Sequence, residues 1–233
     1  MTYEELHKLC WDSDIVISVE TMAKLRDYAH LLMKWNKKMN LTAIDQEEDI
    51  VEKHFYDCII PAKVFDFHDK TLVDLGTGAG FPGMLLAVLY PTLQVTLIDA
   101  TAKKFEFLKD VKEQLSLTNV KFVVGRVEEQ SALRETFDVC TARGFGSLSE
   151  IIEVGVPLLK VGGTLIAMKS SKGVEEVLNS NKALQQLESK ITNQQRDTLP
   201  SNHDIRLNIF ITKCQKTTPK YPRKWAEIVA KPL

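Results

Sequence analysis

The residues best equipped for chemistry lie in Val73-Asp-Leu-Gly-Thr-Gly-Ala-Gly-Phe-Pro-Gly83. Glycines at 76 and 78 permit a tight turn and let the backbone approach a ligand where a Cβ would clash. Phe81 follows within the same turn, and no Gly-Lys-Ser/Thr closes it, so it is not a Walker phosphate loop. Asp74 stands two residues before the first glycine. A carboxylate there suits an ammonium group on the ligand and repels a pyrophosphate seated at the adjoining helix start. The balance favours S-adenosylmethionine over a nicotinamide dinucleotide. Asp99 lies at about the 20-residue offset expected of a carboxylate that accepts from ribose hydroxyls. Its alternative role is a cap for the helix expected over residues 101–115.

Two further segments are expected to complete the pocket, since ligands of open α/β sheets bind outside the carboxyl ends of the strands. In Gly125-Arg-Val-Glu128, Val127 is expected to pack on adenine while Glu128 or the neighbouring backbone meets its polar edge. Glu128 and Glu129 equally suit the opening turn of a helix. Arg143 and Lys169 are placed at the pocket mouth as positioning residues, to bind phosphate or a purine edge by a fork and a point charge. The other reading of Arg143 is an ion pair that only shapes its loop. His54 and Asp57 share a helical face without an accompanying nucleophile and read as structural.

These residues require a scaffold. Met22, Leu25, Ala29 and Leu32 form an apolar stripe at helical spacing, and a second helical stretch runs from Glu47 until Pro61 interrupts it. Residues 1–65 therefore read as a helical cap. Short β-rich runs then alternate with helical stretches: 71–75, 94–99, 120–124, 137–141 and 164–169, with a last alternating strand over 206–213. The expected fold over 66–214 is α/β, a doubly wound, mostly parallel, Rossmann-like sheet. Residues 215–233 read as a mobile basic arm. Lys220, Arg223 and Lys224 on it, with Lys169, are the RNA-binding candidates, followed by Lys34, Lys37 and Lys38 beside Trp35.

Composition narrows the classes. A net charge of −1 gives no global positive field, so nucleic-acid contact must come from local patches. Four cysteines lie far apart without paired Cys-x-x-Cys spacing, which argues against a metal site and for free thiols. No apolar run approaches the roughly 20 residues of a membrane span. Residues 1–14 lack the pattern of a secretory signal, so a cytoplasmic location is expected; a monomer is expected as well.

Taken together, the sequence resembles the bacterial small-subunit ribosomal RNA guanine-N7 methyltransferases, the RsmG or GidB family. The resemblance rests on Asn40-Leu-Thr-Ala43, Lys53-His-Phe-Tyr-Asp57, the Asp74–Gly83 turn, Arg126-Val-Glu128, Thr141-Ala-Arg143, Ala167-Met-Lys169 and Thr218-Pro-Lys-Tyr-Pro-Arg-Lys224. It implies methyl transfer to a guanine N7 of 16S ribosomal RNA in the small subunit. It also implies cofactor contacts at Gly76, Phe81, Val127, Glu128 and Arg143. The chain departs from the family pattern at Gly144, Gly146 and Cys58, and most over Trp225–Leu233, which lacks the usual glycine and extra proline. An oxidoreductase on the same sheet and a non-catalytic ribosome-assembly factor are the alternatives.

Overall fold

The computed structural model describes Met1–Leu233. Its first helix, α1 (Tyr3–Trp11), opens on a capping box between Thr2 and Glu5, a helix the sequence reading had not separated from the rest of the cap. Helix α2 (Val19–Met39) starts at Ser18, whose side chain accepts from Thr21 N, and ends where Asn40 turns left-handed at φ 48°. Then α3 (Glu47–Ile50), a π-helical segment (Val51–Tyr56) and α4 (Asp57–Ile59) run on as one rod. Pro61 lies in the 3-10 turn Ile60–Lys63 that ends it.

Seven strands follow: β1 (Thr71–Leu75), β2 (Gln94–Asp99), β3 (Val120–Val124), β4 (Phe137–Arg143), β5 (Leu159–Ser170), β6 (Ser189–Thr198) and β7 (Ile205–Lys213). They form one sheet in the order β3-β2-β1-β4-β5-β7-β6. Strand β1 pairs in parallel with both β2 and β4, so Leu72 lies beside Val95 and Val139. The strand order reverses between β1 and β4, and a crevice opens at such a point beyond the carboxyl ends. Only β7 runs against the other strands, pairing antiparallel with both β5 and β6. Strand β6 was missed because it is a polar edge strand with a register shift between Ile191 and Asn193, which erases any apolar alternation.

Helices α5 (Gly83–Leu89), α6 (Lys104–Gln114), α7 (Leu148–Gly155), α8 (Gly173–Asn179), α9 (Asn181–Gln186) and α10 (Trp225–Ala230) complete the chain. The sheet is sandwiched between two apolar layers. One joins the cap residues Leu25, Tyr28 and Phe55 to Leu85, Leu97 and Phe107; the other joins Leu148, Ile151 and Ile228 to Leu165 and Ile209. The cap is welded to the site as well: Tyr28 Oη donates to Ala79 O at 2.6 Å, and Trp35 Nε1 to Asp110 at 2.6 Å.

Residues 217–233 do not form a mobile arm. Arg134 donates to the carbonyls of Thr217, Thr218 and Tyr221 at 2.5–2.9 Å, and Tyr221 and Ile228 are buried. Counting charges along the tail overlooked the interleaved Tyr221, Trp225 and Ile228, which have apolar surface to bury. Lys213, the cation at the end of β7 just before this segment, is fully buried and donates to Glu135 and Leu159 O.

Candidate active site

Beyond the carboxyl ends of β1–β4 lies a cleft of about 180 Å³, lined by Gly76, Asp99, Ala100, Gly125–Glu128, Phe145 and Trp225. Gly76 lies at φ +60°, and a Cβ on it would stand 2.6 Å from the Phe145 ring, so only glycine fits between strand and cleft wall. Gly78, at φ +58°, directs its N–H to Asp99 Oδ2 at 3.0 Å. Asp99 also accepts from Thr101 N at 2.8 Å and Lys104 Nζ at 3.0 Å. These donors hold its carboxyl below the usual range despite the opposing effect of burial. Asp99 thus borders the cleft and fastens the turn before α6, but it is not that helix's cap, because α6 begins at Lys104 with no side-chain cap. Val127 is buried at the cleft wall and Glu128 follows it, with Arg126 Nη1 3.8 Å from its carboxylate.

Asp74 is placed differently from the expectation. Its carboxylate is fully buried beneath the turn, accepting from Thr141 Oγ1 at 2.8 Å and Gly83 N at 3.1 Å. Burial raises its pKa to about 6. The acid ties β1 to β4 and to the start of α5, where an ammonium of a ligand does not reach it. Spacing had located the acid but not the direction of its side chain.

Arg143 is likewise drawn inward. Its guanidinium donates to Asp57 Oδ2 at 3.0 Å, Lys53 O at 3.0 Å and His54 Nδ1 at 2.9 Å. The other oxygen of Asp57 accepts from Arg206 Nε at 3.0 Å. Since arginine only donates, Nδ1 of His54 accepts, and the neutral ring carries its proton on Nε2, 2.9 Å from Thr42 Oγ1. Burial and the Arg143 charge lower the His54 pKa to about 3. Its ring stacks on Phe81 at 4.5 Å between centroids, and Phe81 stacks on Tyr28 at 5.2 Å. Phe81 is consequently a buried brace of the turn. Of the alternatives open for Arg143, the ion pair is the one observed.

Lys169 donates to Gly146 O and pairs with Glu176 at 2.7 Å, fastening the loop after β4 to α8. Arg223 forks onto the fully buried Glu153 at 2.7 and 2.5 Å and is no free phosphate ligand. Lys220 and Lys224 remain exposed, as do Lys34, Lys37 and Lys38. No cluster of His, Cys, Asp or Glu is placed to hold a metal, and no helix is long and apolar enough to cross a membrane.

The family model described as GidB, rRNA small subunit methyltransferase G, matches residues 21–202. The chain belongs to this family. "Ribosomal RNA small subunit methyltransferase G" of Fusobacterium nucleatum is 44% identical over 91% of this chain and 91% of that protein. Its namesake from Geobacillus kaustophilus is 40% identical over 90% of each. Among solved structures, M. jannaschii TYW2 in complex with AdoMet has 12% identity, covers 73% of this chain and 79% of that one, and aligns with a TM-score of 0.56. A methyltransferase sheet of the Rossmann-like kind is thus shown, and the oxidoreductase alternative falls. Within this GidB family member, sequence reasoning missed Phe145 and Trp225 as cleft walls. Phe145 carried no pattern at all, whereas Trp225 was legible as an aromatic beside the basic run.

Proposed function

We propose that the protein transfers a methyl group from S-adenosylmethionine to N7 of a guanine in 16S ribosomal RNA. The observation that carries this reading is the cleft at the carboxyl ends of β1–β4, kept free of a side chain at Gly76 and bordered by Asp99, Val127 and Glu128. These residues fit the cofactor: a carboxylate for ribose hydroxyls, an apolar face for adenine and a second carboxylate for its polar edge. Bound there, the cofactor supplies an electrophilic methyl on a sulfonium. Guanine N7 offers an unshared pair without losing a proton, so the chain needs no general base. The side chain best placed to be mistaken for one, His54, is already committed at both nitrogens.

The protein's contribution is then positioning, which supplies several kcal/mol when reacting atoms are held in line. Asp74, Phe81 and Arg143 stiffen the turn beneath the cleft, and Lys169 fixes the 144–146 loop at its rim. For RNA, the exposed Lys220 and Lys224 are the phosphate candidates, and Lys34, Lys37 and Lys38 follow. The test is transfer of labelled methyl to unmodified small subunits and to protein-free 16S RNA, with mapping of the labelled base. Label on one guanine N7 is expected. Binding of the cofactor and of the subunit without transfer would instead favour the assembly-factor alternative.

A further inference from the structure

The cleft is closed on one side by a residue far from every strand that builds it. Trp225 opens α10 and meets Phe145 edge-on, ring centroids 5.6 Å apart and planes at 71°. Phe145 in turn presses on Gly76. The indole is held there by its immediate neighbours. Arg223 is clamped by the buried Glu153, which also accepts from Arg223 N at 3.1 Å, and Arg223 Nη1 reaches Lys231 O across α10 at 3.1 Å. Tyr221 is buried and its Oη donates to Gln186 at 3.0 Å. The segment is thus anchored on both sides of a half-buried tryptophan that lines the cleft together with Asp99, Val127 and Glu128.

We infer that Trp225 is a cofactor-binding residue, its indole forming the wall of the cleft that contacts the adenosine half of S-adenosylmethionine. The inference rests on the reading of Asp99, Val127 and Glu128 as the ribose and adenine contacts. Trp225 lines the same cleft as those three, and an indole offers a large, rigid apolar face to a purine. The ends of the cleft are then unequal: one wall is strand-borne, the other is delivered by the C-terminal segment.

The test combines calorimetry with tryptophan emission on the full chain, using S-adenosylhomocysteine, 5′-methylthioadenosine and methionine as probes. Emission is expected to change with the two nucleosides and not with methionine, and the change is expected to vanish in Trp225→Phe. Trp225→Ala is expected to weaken S-adenosylhomocysteine binding about tenfold, with Trp225→Phe retaining most of the affinity and an unaltered melting temperature. An emission change that survives in Trp225→Phe, or parental affinity in Trp225→Ala, would overturn the assignment. Failure of the parent chain to bind S-adenosylhomocysteine would overturn the cofactor reading itself, and the assignment with it.

Discussion

The cleft over Gly76 and the charge cluster around Asp57 adjoin the same turn, yet they are built on opposite terms. The cleft is walled by backbone, glycine, short apolar side chains and aromatic edges, with its carboxylates at the border. The cluster is saturated: Asp57, Arg143, Arg206, His54 and Thr42 satisfy one another. Strongly shifted protonation in a fold of this kind often marks a chemical centre. Here it marks a strut, because methylation of a nitrogen with a free pair gives a buried histidine no proton to move.

The largest expected effect separates the two regions directly. Asp57→Ala leaves two arginines facing each other without their shared carboxylate, and about 3–5 kcal/mol of stability is expected to disappear in urea unfolding. Retention of more than half of that stability would mean the cluster is solvent-screened. His54→Phe removes the acceptor of Arg143 and is expected to cost about 1–3 kcal/mol, with the methyl-transfer step largely unchanged in single turnover. A lost transfer step with intact stability would reverse the assignment of strut and cleft.

The pH dependence sharpens the contrast. His54, neutral in the fold down to about pH 3, makes stability rise with pH through the window from 3 to 6.5, because the unfolded chain binds the extra proton there. Asp74, protonated in the fold up to about pH 6, makes stability fall with pH between its ordinary 3.8 and 6. The stability difference between parent and His54→Phe should therefore grow with pH from 4 to 6. The difference between parent and Asp74→Asn should shrink over the same range, each by about 1.4 kcal/mol per unit. Parallel curves would show that neither group is as buried as described.

Gly76→Ala tests the cleft. A left-handed alanine costs about 1–2 kcal/mol, and its Cβ pushes Phe145 across the cleft, so cofactor affinity is expected to drop more than tenfold while the Asp57 cluster stays intact. The smallest effect belongs to the surface: Lys220→Ala with Lys224→Ala is expected to change stability by under about 0.5 kcal/mol. The same pair should flatten the salt dependence of RNA binding by about one unit of log–log slope per lysine.

Six of the seven strands, the glycine turn and the cofactor class were legible in the sequence because each depends on local pattern: β-rich runs, glycine at fixed offsets, an acid one strand later. Side-chain direction was not. Asp74 and Arg143 were located at the correct strand ends but turn inward, since their partners Thr141 and Asp57 lie 67 and 86 residues away. Arg223 was misread as a free cation for the same reason, its acceptor Glu153 being buried on α7. Strand β6 escaped because an edge strand has little need of apolar residues, and Trp225 because a tail rich in lysine hides its few core residues.

Arg223, Lys224 and Trp225 are consecutive, and one carboxylate, Glu153, anchors them. On the contacts proposed above, a polyanion on Lys224 and a nucleoside on Trp225 would act on the same short turn, just beyond its anchor at Arg223. Reciprocity of binding then applies: whatever factor the first ligand imposes on the affinity of the second, the second imposes on the first. On those contacts the tail, which carries neither strand nor glycine turn, would be the place where the two substrates of the reaction sense each other.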